Sequence, residues 1–74
     1  MRKASSQLRR ILAENIRDYR KARGLSQDEL ADQCDLHRMY IGSIERCERN
    51  VTLSTLEVLA AALRVPVPEL PSRR

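Results

Sequence analysis

The fold turns on residues 26–47, SQDELADQCDLHRMYIGSIERC. Ser26 is a strong N-cap residue, and Glu29 three positions later completes a capping box, so a helix starts here. Leu30, Ala31 and Cys34 form its apolar side. Asp35 follows, a residue type that tolerates the left-handed conformation better than most, and the chain turns there. Leu36 then leads into a second helix carrying Ile41 and Ile44. The small side chain of Ala31 lets the two helices cross closely. Leu30, Cys34, Leu36, Ile41 and Ile44 pin the pair to a core.

Upstream, Leu8, Ile11, Leu12, Ile16, Tyr19 and Ala22 recur at helical spacing and predict a first helix with one buried face. Ser5 or Ser6 caps it, and Arg23-Gly24 closes it with a basic last turn and a terminal glycine. Asn15 falls on the same face and interrupts the stripe. Arg9, Arg10, Arg17, Lys21 and Arg23 lie mostly elsewhere and read as solvated surface. Downstream of a loop over residues 48–51, Ser54-x-x-Glu57 reads as a second capping box opening a fourth helix. Its buried stripe is Leu56, Leu59, Ala60 and Leu63. Val58, Ala61 and Ala62 carry the apolar character round the side, as further core or as a surface for a second subunit. In the tail VPVPELPSRR, Pro68 suits the first position of a single helical turn ending near Leu70, and Pro71 stops it.

The expected fold is therefore all-α, a compact bundle of about five helices. The domain spans 6–71, with a basic tail at 1–5 and a C-terminal tail at 72–74. Its core is Leu12, Ile16, Tyr19, Leu30, Ala31, Leu36, Ile41, Ile44, Leu56, Leu59 and Leu63.

Composition narrows the function. Seventy-four residues make one small domain, and 14 basic against 10 acidic residues give a net charge of +4, which favours a polyanionic partner. A chain this short is marginal as a monomer and gains from dimerisation. No run of 18 apolar residues is present, so no membrane span is expected. Two cysteines and one histidine do not form a metal-ligand pattern, and neither metal nor cofactor is expected. Cys34 and Cys47 read as free thiols in a reducing cytoplasm.

Two helices crossing at a tight turn make a helix-turn-helix. The segments RKARGLSQDELA, YIGSIERCERN and STLEVLAAAL resemble the Cro/phage-repressor (XRE-type) helix-turn-helix family, in particular the small controller proteins of restriction–modification systems. An α-helix fits the major groove of B-DNA, where its N-terminal residues reach base edges. At about 100° per residue, Met39, Gly42, Ser43 and Arg46 face away from Ile41 and Ile44, and Arg38 stands at the exposed end. Arg pairs with guanine O6 and N7, Met packs on the thymine methyl, and Ser bonds either way. The resemblance implies base contacts from Arg38, Met39 and Ser43. His37 either joins them or caps the helix.

The resemblance also implies that Gln27 bonds a phosphate and braces the reading helix, and that Arg20 and Glu45 pair as a structural salt bridge. Arg46, Arg49, Asn50 and Thr52 are placed for the DNA backbone. Similar controller proteins pair through their C-terminal region, which assigns Val58, Val65, Val67 and Leu70 to a homodimer interface. Gly42 costs the reading helix about 1 kcal/mol relative to Ala. It either admits DNA closely or is simply tolerated.

Three function classes compete. The first is a dimeric regulator on a palindromic operator, with a restriction–modification operon as its target and RNA polymerase as a further partner. The second is an antitoxin or protein-interaction module on the same fold. The third, an enzyme, is the poorest, since no catalytic set, phosphate-binding loop or metal cluster appears.

Overall fold

The computed structural model describes residues 6–73; the basic tail at 1–5, with Ser5 as an alternative cap, and Arg74 lie outside them. Four α-helices follow in order: α1 (Ser6–Ala22), α2 (Gln27–Cys34), α3 (Arg38–Glu45) and α4 (Leu53–Leu63). The expected fifth helix is a three-residue 3₁₀ turn, Val67–Glu69. Pro66, Pro68 and Pro71 leave that segment too few backbone donors to build an α-helix.

Local chemistry sets most of the boundaries. α1 closes at Gly24 (φ +70°), where the amides of Gly24 and Leu25 bond back to the carbonyls of Lys21 and Arg20, both at 3.0 Å. At α2 the capping box is complete. The Glu29 amide donates to Ser26 Oγ at 3.0 Å, and the Ser26 amide donates to the Glu29 carboxylate at 2.8 Å. Those bonds to Ser26 hold the Glu29 carboxyl below its usual range. Asp35 sits in the left-handed region (φ 55°, ψ 42°) and turns the chain towards α3.

The start of α4 differs from the expected Ser54 cap. Thr52 is the N-cap: its hydroxyl accepts from the Thr55 amide at 3.2 Å, so the helix begins at Leu53 and Ser54 lies inside its first turn. Both residue types cap well, and the earlier one captured the free amide.

Each helix contributes to one core. Ile16, Leu30, Ile41, Ile44, Leu59 and Leu63 are fully buried, with Leu12, Ala13, Ala31, Cys34 and Ala60 around them. Tyr19, Leu36 and Leu56, expected inside, are half-buried and pack against its edge. Burial pushes the Cys34 thiol pKa up.

Leu70 corrects two expectations at once. Its side chain is fully buried, so it belongs to the core rather than to a subunit interface. The buried Asn15 that interrupted the α1 stripe explains why. Its amide Nδ2 donates to the carbonyls of Leu70 and Ser72, each at 2.7 Å, and clamps the C-terminal segment onto α1. Ser72 is therefore tied to the body of the domain and does not begin a free tail.

Candidate nucleic-acid interface

α3 packs against both α1 and α2. Its last five residues, Ile41, Gly42, Ser43, Ile44 and Glu45, are all buried. The exposed part is the N-terminal end: Arg38 projects outward and Met39 is 68% exposed. His37 is the N-cap, its Nδ1 accepting from the Met39 amide at 3.1 Å. That bond occupies Nδ1 and leaves Nε2 as the other polar atom of the exposed ring.

Gly42 and Ser43 do not face outward as the helical arithmetic suggested. Neighbouring side chains close over them. A Cβ at Gly42 would stand 3.0 Å from Arg46 Nη1 and 3.5 Å from Gln27 Oε1. The Ser43 hydroxyl donates to the Tyr40 carbonyl at 2.8 Å and accepts from Arg49 Nε at 3.0 Å. Ser43 thus holds Arg49 instead of presenting a free hydroxyl. The Arg49 guanidinium also lies 5.4 Å from the Tyr40 ring centre, a cation–π contact. Tyr40 is thus a further residue of this surface. Its position one turn before Ile44, with an arginine nearby, was the available signal.

Behind this surface, Glu45 gathers three elements. Arg20 Nε and Nη2 of α1 donate to its carboxylate at 2.7 and 3.0 Å. Gln27 Nε2 of α2 donates to the same carboxylate at 3.1 Å, and Arg17 Nη2 donates to the Glu45 carbonyl at 3.0 Å. The hydrogen bonds that Arg20 donates to Glu45 raise the Arg20 pKa above its ordinary value despite the opposing effect of burial. Gln27 thus ties α2 to α3 through its amide nitrogen.

The arginines at the two ends of α3 each stand beside an acid. Arg38 Nε lies 3.5 Å from Asp28 Oδ1, and Arg46 Nε lies 3.1 Å from Glu48 Oε2, both pairs being exposed. Asn50 and Thr52 are exposed on the loop beyond. Away from this face, Val58 on α4 is 42% exposed, while Val65 and Val67 are half-buried against the core. No described helix is long and apolar enough to cross a membrane.

A bundle that buries the C-terminal half of α3 and exposes its basic N-terminal end is the architecture of a helix-turn-helix DNA-binding domain. The helix-turn-helix family model matches residues 16–70. The control protein C.SmaI of Serratia marcescens is 58% identical over 67 residues, spanning 90% of this chain and 80% of that protein. The crystal structure of the restriction–modification controller protein C.AhdI from Aeromonas hydrophila superposes with a TM-score of 0.81 at 40% identity, covering 84% of this chain and 94% of that one. The biofilm master regulator SinR, solved in complex with DNA, gives a TM-score of 0.79 at 35% identity, covering 82% and 98%. The chain belongs to the helix-turn-helix family of the Cro/phage-repressor type, and it is a DNA-binding regulator of transcription similar to restriction–modification controller proteins.

Proposed function

We propose that the protein works as a homodimer on a palindromic operator, with α3 as the reading helix and a restriction–modification operon as its setting in the cytoplasm. RNA polymerase is the partner through which such binding acts on transcription. The observation that carries this reading is the exposure of Arg38 and Met39 at the N-terminal end of α3, where residues of a groove-bound helix reach base edges. Arg38 is assigned to guanine O6 and N7, and Met39 to a thymine methyl. His37 Nε2 is a further polar atom at the same end. Arg46, Arg49, Asn50 and Thr52 are assigned to backbone contacts, which supply affinity and register without sequence information.

A two-fold dimer places two such helices in successive major grooves, about 34–36 Å apart, so the operator holds inverted half-sites about one helical turn apart. Val58, the exposed valine of α4, is assigned to the subunit interface, with Val65 and Val67 at its edge.

Selection of bound sites from random duplex DNA, followed by titration of matched and scrambled duplexes at several salt concentrations, tests the reading. Arg38→Ala is expected to lose about 1–3 kcal/mol on the matched site and to relax preference at one position of each half-site. Arg49→Ala is expected to weaken both duplexes alike and to reduce the salt slope by about one. Equal binding of both duplexes by the unmodified protein overturns sequence-specific regulation.

A further inference from the structure

Arg38 at the first position of α3, Arg46 at its C-cap and Arg49 in the loop beyond each have an internal oxygen partner near Nε. Arg38 Nε faces Asp28 Oδ1 at 3.5 Å, Arg46 Nε faces Glu48 Oε2 at 3.1 Å, and Arg49 Nε donates to Ser43 Oγ at 3.0 Å. A guanidinium engaged through Nε, by a hydrogen bond at Arg46 and Arg49 and by an ion pair at Arg38, keeps its Nη1–Nη2 edge for a ligand, and that edge forms two parallel bonds to a planar pair of acceptors. Each acceptor also removes part of the rotational freedom that a long, exposed side chain loses on binding.

Asp28 stands out among the three acceptors. As the second residue of α2, it suits a helix N-terminus, where the macrodipole favours an acid. Any of several first-turn positions would serve that purpose, and Glu29 already occupies the next one. Asp28, however, reaches from α2 to the first residue of α3, the arginine assigned to guanine. An acid beside a DNA-facing surface repels phosphates and lowers affinity for every duplex. What offsets that cost is position: Asp28 engages Arg38 at Nε, the side of the guanidinium away from its Nη1–Nη2 edge, and leaves that edge to the bases.

Resting on the reading of α3 as the DNA-reading helix, we infer that Asp28 is a positioning residue that sets the sequence discrimination exerted by Arg38. Glu48 plays the corresponding part for Arg46, where the target is the backbone and no discrimination is at stake. The two acids therefore provide an internal comparison. Each carries one negative charge on the DNA-facing side, but only Asp28 orients a base-reading group.

The experiment measures Kd for the selected operator and a scrambled duplex at fixed salt. The variants are Asp28→Ala, Asp28→Asn, Glu48→Ala, Arg38→Ala and the Asp28→Ala/Arg38→Ala double variant. Both alanine replacements of an acid are expected to tighten binding to the scrambled duplex. Asp28→Ala alone is expected to lower the operator-to-scrambled affinity ratio, by roughly three- to tenfold out of the roughly 5- to 150-fold that a good bidentate pair supplies. Asp28→Asn keeps an uncharged acceptor for Nε and is expected to recover most of the ratio while still binding the scrambled duplex more tightly. In the Arg38→Ala background, Asp28→Ala is expected to leave the ratio unchanged, as a coupled pair requires.

A ratio that stays constant or rises in Asp28→Ala overturns the inference, and so does an equal fall with Arg38 absent. Failure of the unmodified protein to discriminate between the duplexes overturns the underlying reading instead. Asp28 is exposed, so thermal melts of the variants are expected to match the unmodified protein closely enough to separate misfolding from lost positioning.

Discussion

The Arg20 guanidinium of α1 meets the Glu45 carboxylate of α3 through two hydrogen bonds, 2.7 and 3.0 Å, in a pocket where both side chains are almost wholly buried. The pair fixes the C-terminal end of α3 against α1, and Gln27 adds α2 to the same carboxylate. Removing one partner leaves a buried charge uncompensated. Arg20→Ala or Glu45→Ala is expected to cost about 3–5 kcal/mol, a large part of the stability of a small domain. Replacing both by apolar residues of matching volume is expected to restore much of that loss. Chemical denaturation of the two single variants and the double variant checks the prediction. Single variants as stable as the unmodified protein would show that the pair does not hold α3.

The Glu29 capping bond has a pH signature. Hydrogen bonds to Ser26 lower the folded-state pKa of Glu29, so on acidification the unfolded chain takes up this proton before the folded one. The stabilisation is complete above the ordinary glutamate range, near about 4.3, and disappears as pH falls through the lowered folded-state value. Glu29→Gln keeps the capping pattern but cannot titrate. The stability advantage of the unmodified protein over Glu29→Gln is expected to be constant at neutral pH and to shrink in acid. Melting both proteins from pH 7 to pH 3 measures it, and a gap independent of pH would refute the assignment.

Leu70 and Asn15 give a prediction about folding rather than assembly. Leu70→Ala is expected to cost about 2–5 kcal/mol by emptying a buried site. Leu70→Glu is expected to unfold the protomer, because it buries an unpaired charge. Asn15→Ala removes both bonds to the C-terminal segment and is expected to cost about 1–3 kcal/mol. Val58→Glu, at an exposed position, is expected to leave the fold intact and to shift sedimentation towards the monomer. If Leu70→Glu stayed folded and simply dissociated, Leu70 would belong to the interface after all.

These residues also mark what the sequence could reveal. The Ser26–Glu29 box, the left-handed Asp35 and the Gly24 stop all depend on neighbours within a few positions, and each was legible. The Asn15 bond to Leu70 spans 55 residues, and nothing near either position announces it. Asn15 looked like a flaw in a stripe because its partners are backbone carbonyls, which leave no pattern in a sequence. Ser43 failed for another reason. A single inward direction suits a helix packed on one neighbour, whereas α3 packs on two and lies beneath the side chains of Gln27, Arg46 and Arg49. Its buried arc is wider than the apolar residues alone suggest. At Thr52 and Ser54, two good caps stood within one turn, and residue type could not rank them.

Gly42 sets the stability of α3 against the room left for Arg46. Alanine there would favour the helix by about 1 kcal/mol, yet its methyl carbon would stand 3.0 Å from Arg46 Nη1 and force that guanidinium to move. Selection for heat resistance alone would favour the substitution, while the backbone contact proposed for Arg46 would weigh against it. Under the proposed role of Arg46, stability screens at this position would reward sequences that displace a DNA-contacting arginine, and operator binding has to be measured beside melting when the domain is engineered as a binding module.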